Sequence, residues 1–452
     1  MSKYDVAIIG AGPAGMMAAI TVSGNGKRVV LVERNSQLGR KLLATGNGRC
    51  NLTNSHVPID RFHGGDLKLI ESVISQFDQL ATLEFFLDMG LMVKEEDDGR
   101  IFPRTNQASS VVEVLKQRLV GNRVDIMLDT QVTGIQQSCR TSQERLSRHD
   151  RSHPHPNPLP QGRGDCAPLA LITGAHTPGG CLLRQPWIIS LTDGNTLQAD
   201  KLVIATGGRA AHYLGSTGDG LYWAQKLGHS LTPIYAALVP IEIVEQWPKD
   251  VQGIKIEAAV WATSDNRTIN ESVADLLFTA YGVSGPAAMA LAGSIAPLLK
   301  TSEVQLHIDL FPDMTAKMLD QVLARVFENS GKKTVADALV GVLPSGLIPV
   351  VLKLAGVDAP AQVGSMPKAG RLDIVRTLKE IVLTVSKLRP PKEAQVTTGG
   401  VNSDEVDPRT LQSRLFKGLY FAGEMLDVDG DSGGFNRQWA WSSGRVAGGL
   451  AE

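Results

Sequence analysis

Cysteine is scarce in this chain: Cys50, Cys139, Cys166 and Cys181 are the four in 452 residues. Four cannot make a disulfide framework, so a reducing cytoplasm is the expected location. None of them forms a Cys-x-x-Cys pair, which excludes the dithiol chemistry of disulfide reductases. Charge of one sign is lacking too, with 45 Lys+Arg against 46 Asp+Glu and a net charge of −1. Nucleic acid and anionic membranes select clustered Lys and Arg, so neither is an expected partner. No apolar run approaches the roughly 20 residues that span a bilayer. The opening residues, Met1-Ser2-Lys3-Tyr4-Asp5, carry no basic n-region and no cleavage site, so no signal peptide is expected. At 43% hydrophobic and 20% charged residues the chain reads as globular with a proper core, in two to three domains.

Glycine is what the chain has in excess, with 46 residues. Residues 6–9, Val-Ala-Ile-Ile, form a run suited to a buried parallel strand, and Gly10-Ala11-Gly12-Pro13-Ala14-Gly15 follows, opening an alanine-rich helix. A second apolar run, 28–32, ends at Glu33. In this pattern Gly10 allows the tight turn, Gly12 lets backbone approach a pyrophosphate, and Gly15 permits close helix–strand packing. The helix N-terminus offers free N–H groups to phosphate. Glu33 falls where a carboxylate meets a ribose diol. A dinucleotide site is expected, and the motif by itself does not separate FAD from NAD.

Three more segments read as loops facing a ligand. Residues 39–54 run Gly-Arg-Lys-Leu-Leu-Ala-Thr-Gly-Asn-Gly-Arg-Cys-Asn-Leu-Thr-Asn; residues 201–208 form a strand ending in Thr206-Gly207-Gly208; residues 418–444 carry Gly423-Glu424 and Asp427, then Ser432-Gly433-Gly434-Phe435-Asn436 before a helix. A helix N-terminus at Asn436 is placed to stabilise negative charge on a reduced flavin ring.

A glycine motif at the start and an Ala-Gly-Glu loop at the end resemble the FAD-binding domain of the glutathione reductase/fumarate reductase type. The loop 39–54, Gly99-Arg100-Ile101-Phe102-Pro103, Ser284-Gly285-Pro286, Ala394-Gln395-Val396-Thr397-Thr398-Gly399-Gly400-Val401 and the 418–444 segment together resemble the BaiN/RdsA-type (YhiN-like) family of NAD(P)/FAD-dependent oxidoreductases. The resemblance implies an α/β fold: a Rossmann-like FAD-binding domain built from both chain ends, 1–231 and 395–452, with an inserted β-barrel plus helical domain at 232–394. It implies that Gly10, Gly12, Ala14, Gly15, Glu33 and Arg34 serve the dinucleotide. Arg40, Lys41, Gly46, Arg49 and Asn51 would follow the cofactor toward its ring, and Val132 would meet the adenine. Thr206 and Gly207 form the second glycine turn, and Gly423, Glu424, Asp427, Gly434 and Asn436 the ribityl and ring loop. The implied activity is hydride transfer from NAD(P)H, a transient co-substrate, through the flavin to a carbon–carbon double bond conjugated to a carbonyl in a small molecule. A flavoenzyme with another donor or acceptor, or a flavin protein acting on tRNA, are the competing readings.

Some elements are expected from pattern: a strand at 124–134, a helix at 221–227, strands at 254–261 and 304–308, helices at 334–342 and 373–384. Residues 139–185 break the pattern, being rich in Pro, Arg and His; a disordered insertion in a surface hairpin is expected. Its histidines match no standard metal spacing, so no metal is expected. No catalytic acid announces itself. Family members commonly carry a histidine where Ala280 stands here, so Tyr281, Arg104 and Arg209 are the remaining candidates. Cys50 beside Arg49 reads as a small buried residue under the flavin rather than as a reactive thiol. At least one of Trp439 and Trp441 belongs to the core, since i and i+2 lie on different helix faces.

Overall fold

In the computed structural model, which describes residues 2–138 and 185–449, the N-terminal strand Ser2–Ile9 lies inside a seven-stranded sheet. Its Val-Ala-Ile-Ile end is buried on both faces, as expected for a parallel strand covered by helices. On one side Ile8 pairs in register with Leu31 of the strand Val29–Val32, and on the other with Val203 of Thr196–Ile204, both parallel. The long strand Thr196–Ile204 divides its far edge. Its first half takes Trp187–Leu191 antiparallel, and its last three residues take Leu419–Phe421 parallel. The C-terminal segment is thereby brought to the carboxyl end of the sheet, one strand away from the first, where ligands of open α/β sheets bind.

The first helix, Pro13–Gly24, is buried from Ala14 to Ser23 because it is covered twice. The sheet lies on one side and the C-terminal helix Phe435–Gly449 on the other. Close approach requires small residues at this crossing. A Cβ at Gly444 would stand 2.3 Å from the carbonyl oxygen of Ala14, and one at Gly448 2.7 Å from that of Ala18.

A closed six-stranded barrel follows in the chain: Ile241–Ile243, Gly282–Ser284, Arg267–Thr279, Lys255–Ser264, Gln305–Asp309 and Ile381–Leu388, in that spatial order. Its alternating inward residues, such as Ala258, Val260 and Ala262, join helices including Ala316–Glu328 and Lys368–Lys379 in an apolar core separate from that of the sheet. Among the described residues, no helix is long and apolar enough to cross a membrane.

Several sequence expectations need correction. The single strand at 124–134 is two strands, Asp125–Met127 and Val132–Gln137, at opposite edges of the sheet. Asp129 sits between them at φ +50°. There Asp129 and Thr130 donate their amides to the carbonyls of Asn35 and Glu33, which ends the first strand and turns the chain. The helix at 334–342 is one turn, Val335–Ala338, capped by the Thr334 hydroxyl. The helix at 373–384 stops at Lys379, and the chain becomes a barrel strand at Ile381. The β-branched Ile381, Val382 and Val385 favour that half-buried pleated surface. The segment 254–261 is the strand Lys255–Ser264, and its long partner is Arg267–Thr279, where polar residues and an exposed Val273 blur the alternation. The insertion at 139–185 falls, but for Gln185, outside the described residues.

Candidate active site

The glycine loop between the first strand and first helix behaves as its spacing requires. Gly10 has φ +99°, and a Cβ there would stand 2.6 Å from the Ala205 carbonyl oxygen; one at Gly15 would stand 1.8 Å from that of Gly10. A Cβ at Gly12 would meet nothing within 4 Å, because this residue faces open space. Pro13 opens the helix and no side chain caps it, so the N-terminal amides point at that space.

The space is a cleft of about 920 Å³, lined by Gly10, Gly12, Ala14, Glu33, Arg40 and Lys41, and across from them by Thr206, Gly207, Gly423, Glu424 and Asn436. A second pocket of about 380 Å³ adjoins it, lined by Arg34, Val132, Thr217, Asp219 and Trp223, with Gly10, Glu33, Thr206 and Gly215 common to both.

The acidic and basic residues of the cleft are tied to its walls. Glu33 accepts from the amide of Ala11 at 2.8 Å through Oε2, and from the amide and side chain of Asn35 at 2.9 and 2.7 Å through Oε1. Lys41 Nζ donates to Glu424 Oε2 at 2.6 Å, while Glu424 Oε1 accepts from the Thr397 amide at 2.6 Å. Arg34 is held by Thr217 and Asp219 at 2.6 and 2.9 Å, and Arg40 donates to Asn35 at 3.0 Å. The Asn436 side chain braces the turn at Gly430, accepting from its amide at 2.9 Å.

Other residues singled out in the sequence do not line either pocket. Gly15 is spent on packing, and Asp427 lies behind the wall against Gly64. Gly434 abuts the backbone of Thr53. Arg49 is engaged by Glu96 and Asn106 and lies over the Phe102 ring at 4.1 Å. Gly46 and Asn51 sit in the adjoining turn, where Asn51 Oδ1 is buried and has no hydrogen-bond partner among the described residues. Of the catalytic candidates, Arg104 and Arg209 are exposed outside the pockets. Tyr281 packs under the Arg389 guanidinium, 4.5 Å away, at a barrel hairpin. Burial pushes the Cys50 thiol up to about 11, so it is no ready nucleophile. Both tryptophans are core: Trp439 donates to the Gly423 carbonyl at 3.1 Å and Trp441 to that of Leu52 at 2.9 Å.

Arg437 is a lining residue that motif reading missed. It stands in the first turn of the C-terminal helix, where a cation is disfavoured by the macrodipole. Among the described residues its guanidinium has no hydrogen-bond partner, and burial lowers its pKa. The uncapped glycine cradle, the adjoining pocket for a base and this unpaired cation fit an adenine dinucleotide with a ring at its far end. FAD would be held by the glycine loop and Glu33, and would supply the redox chemistry when bound. Among the described residues, no group of three His, Cys, Asp or Glu is placed to hold a metal ion.

The sheet, the cradle and the returning C-terminal strand define a Rossmann-like FAD-binding flavoprotein. A solved 3-ketosteroid delta1-dehydrogenase from Sterolibacterium denitrificans has this fold, with a TM-score of 0.50 at 13% identity over the whole of both chains. The HI0933-like protein Rossmann domain matches residues 4–153 and 184–450, and the chain belongs to that family. It is 32% identical to a 3-dehydro-bile acid delta(4,6)-reductase of Clostridium scindens over 98% of both chains. It is 27% identical to a ribosomal RNA dihydrouridine synthase of Escherichia coli, over 98% of this chain and 96% of that one. It is a flavin-dependent oxidoreductase.

Proposed function

We propose that the protein takes hydride from NAD(P)H and reduces an activated C=C bond of a small enone-type substrate. The observation that carries this reading is the similarity to the bile acid delta(4,6)-reductase, which spans both chains almost end to end. Saturating a bond conjugated to a carbonyl adds a hydride at the β-carbon and a proton at the α-carbon. In this reading residues 1–231 and 395–452 bind FAD, 232–394 cover its ring, and the protein works in the cytoplasm.

The protein's side chains divide the work. The uncapped amides after Gly12 hold the pyrophosphate, Glu33 orients the ribose, and the pocket of Arg34 and Val132 takes the adenine. Lys41 and Glu424 neutralise each other, so they position rather than charge the cleft. Arg437 and the helix N-terminus behind Asn436 favour negative charge where the ring lies. No second glycine-motif unit is read in the sequence, so the nicotinamide visits the same cleft.

The test is anaerobic stopped-flow absorbance with NADH and NADPH in turn, followed by conjugated enones. Rapid bleaching of the flavin bands and their return with an enone is the expected result; a flavin that stays oxidised with both nucleotides overturns the nicotinamide assignment. A second reading comes from the dihydrouridine synthase relatives, since dihydrouridine is uridine with its ring C=C bond reduced. The balanced charge favours the small molecule, because RNA binding rests on phosphate contacts by Lys and Arg. Dihydrouridine formed in ribosomal RNA by the purified protein would reverse that preference.

A further inference from the structure

One buried acid beside the cleft has no part in the account so far. Asp429 lines neither pocket itself but follows the cleft-lining Val428, and its short strand Asp429–Gly430 lies against Val396–Thr398, whose Val396 also lines the cleft. Asp429 is 4% exposed. Among the described residues its Oδ1 is buried without a partner at hydrogen-bond geometry, and so is the Oγ1 of Thr398, whose hydroxyl nonetheless lies near enough to favour the ionised carboxyl. Leaving a buried carboxylate oxygen unsatisfied is costly unless the group is protonated or a ligand completes it.

The other side of Asp429 leads to solvent. Asp429 pairs directly across the two-stranded ribbon with His63, which places the two side chains as cross-strand neighbours. His63 keeps 37% of its side chain exposed and meets Asp431 Oδ1 at 2.7 Å through Nε2, and Arg61 meets the other oxygen of Asp431 at 3.1 Å. The charged groups facing Asp429 are His63, Asp427 and Glu424; Gly293, from the barrel-bearing segment, and Thr398 complete its surroundings. Burial pushes the Asp429 carboxyl up to about 7, with His63 opposing. The hydrogen bond to Asp431 raises the pKa of His63. Both groups are therefore held toward their protonated forms, the state from which an acid can donate.

We propose that Asp429 is the acid that gives its proton to the α-carbon of the substrate, and that His63, held by Asp431, reloads it from solvent. The inference rests on the enone-reductase reading above. In the step, the π bond of the substrate breaks, a hydride derived from the nicotinamide forms the C–H bond at the β-carbon, and the Asp429 proton forms the one at the α-carbon. Asp429 is left as carboxylate, and a proton passed from water through His63 restores it.

The experiment uses FAD-loaded protein reduced photochemically without oxygen, then mixed with a 3-keto-4,6-diene steroid. Asp429→Asn is expected to reoxidise roughly 100-fold more slowly or worse, while its reduction by the nicotinamide stays within about two-fold of wild type. Wild-type reoxidation should fall as pH rises through neutrality. His63→Gln removes a charge that holds the Asp429 proton loosely, so it should move that fall to higher pH, a shift a purely structural histidine would not cause. Infrared titration of the oxidised protein gives a readout independent of turnover: a protonated-carboxyl C=O band near neutral pH, missing in Asp429→Asn. An active wild type with an equally fast Asp429→Asn, or no such band, overturns the inference alone. A reduced wild type that no enone reoxidises overturns the enone reading and this inference with it.

Discussion

The cleft is built from two glycine-turn-helix units, and they are not alike. At the first, Gly10 to Gly15, the helix begins with proline and alanine, the side chains are small, and the one acid, Glu33, has both carboxylate oxygens occupied by the protein itself. At the second, residues 423–437, ionisable groups crowd the turn: Glu424, Asp427, Asp429, Asp431 and Arg437; among the described residues one oxygen of Asp429 and the guanidinium of Arg437 have no hydrogen-bond partner. A unit that only binds can be neutral and backbone-made. In the proposed function the second sits at the reacting end, where it must hold charge and protons, and so departs from what stability alone would choose.

The largest effect should come from damaging the first unit. Gly15→Val sets a side chain 1.8 Å from the Gly10 carbonyl oxygen, and the purified variant should be colourless and fail to take up added FAD; a yellow variant would mean the cradle is not where the pyrophosphate lies. At the second unit, Arg437→Met removes the unpaired cation. Its flavin should still bind, with a two-electron potential lower by roughly 30 mV or more, the equivalent of about 1.4 kcal/mol. Spectroelectrochemistry giving an unchanged potential would show that Arg437 does not face the ring.

A subtler contrast lies in how stability depends on pH. The Asp429 carboxyl is raised in the folded state, so the stability it contributes is complete below the ordinary carboxylate range and is lost as pH rises through about 7. The side-chain amide of the variant Asp429→Asn never ionises. That variant should therefore melt roughly 2–4 °C above wild type at pH 8, with the gain shrinking toward pH 5 in a calorimetric scan. Equal melting curves at pH 8 would mean the buried acid is neutral for another reason. The smallest effect is expected from Tyr281→Phe. The ring stays under Arg389, the hydroxyl is outside the cleft, and the rate of enone reduction should be unchanged. A loss of ten-fold would restore Tyr281 as a proton donor.

The sequence by itself determined the first unit, because a tight turn, a close backbone approach and a helix start are local: Gly10, Gly12 and Gly15 need only their own neighbours to act. It also determined that the chain is α/β with its ends joined in one flavin-binding fold, since the motifs at both ends are long. It did not reveal that residues 124–134 divide between two edges of the sheet, or that the helix before Ile381 ends at Lys379, because backbone pairing with distant strands decides such boundaries. No motif in the sequence singles out Arg437 or Asp429. Only the tertiary structure sets Arg437 in the cleft, and buries Asp429 beside His63, a residue more than 360 positions away in the chain. A titratable group is defined by its desolvation and its neighbours, and neither is a property of the residues next to it in sequence.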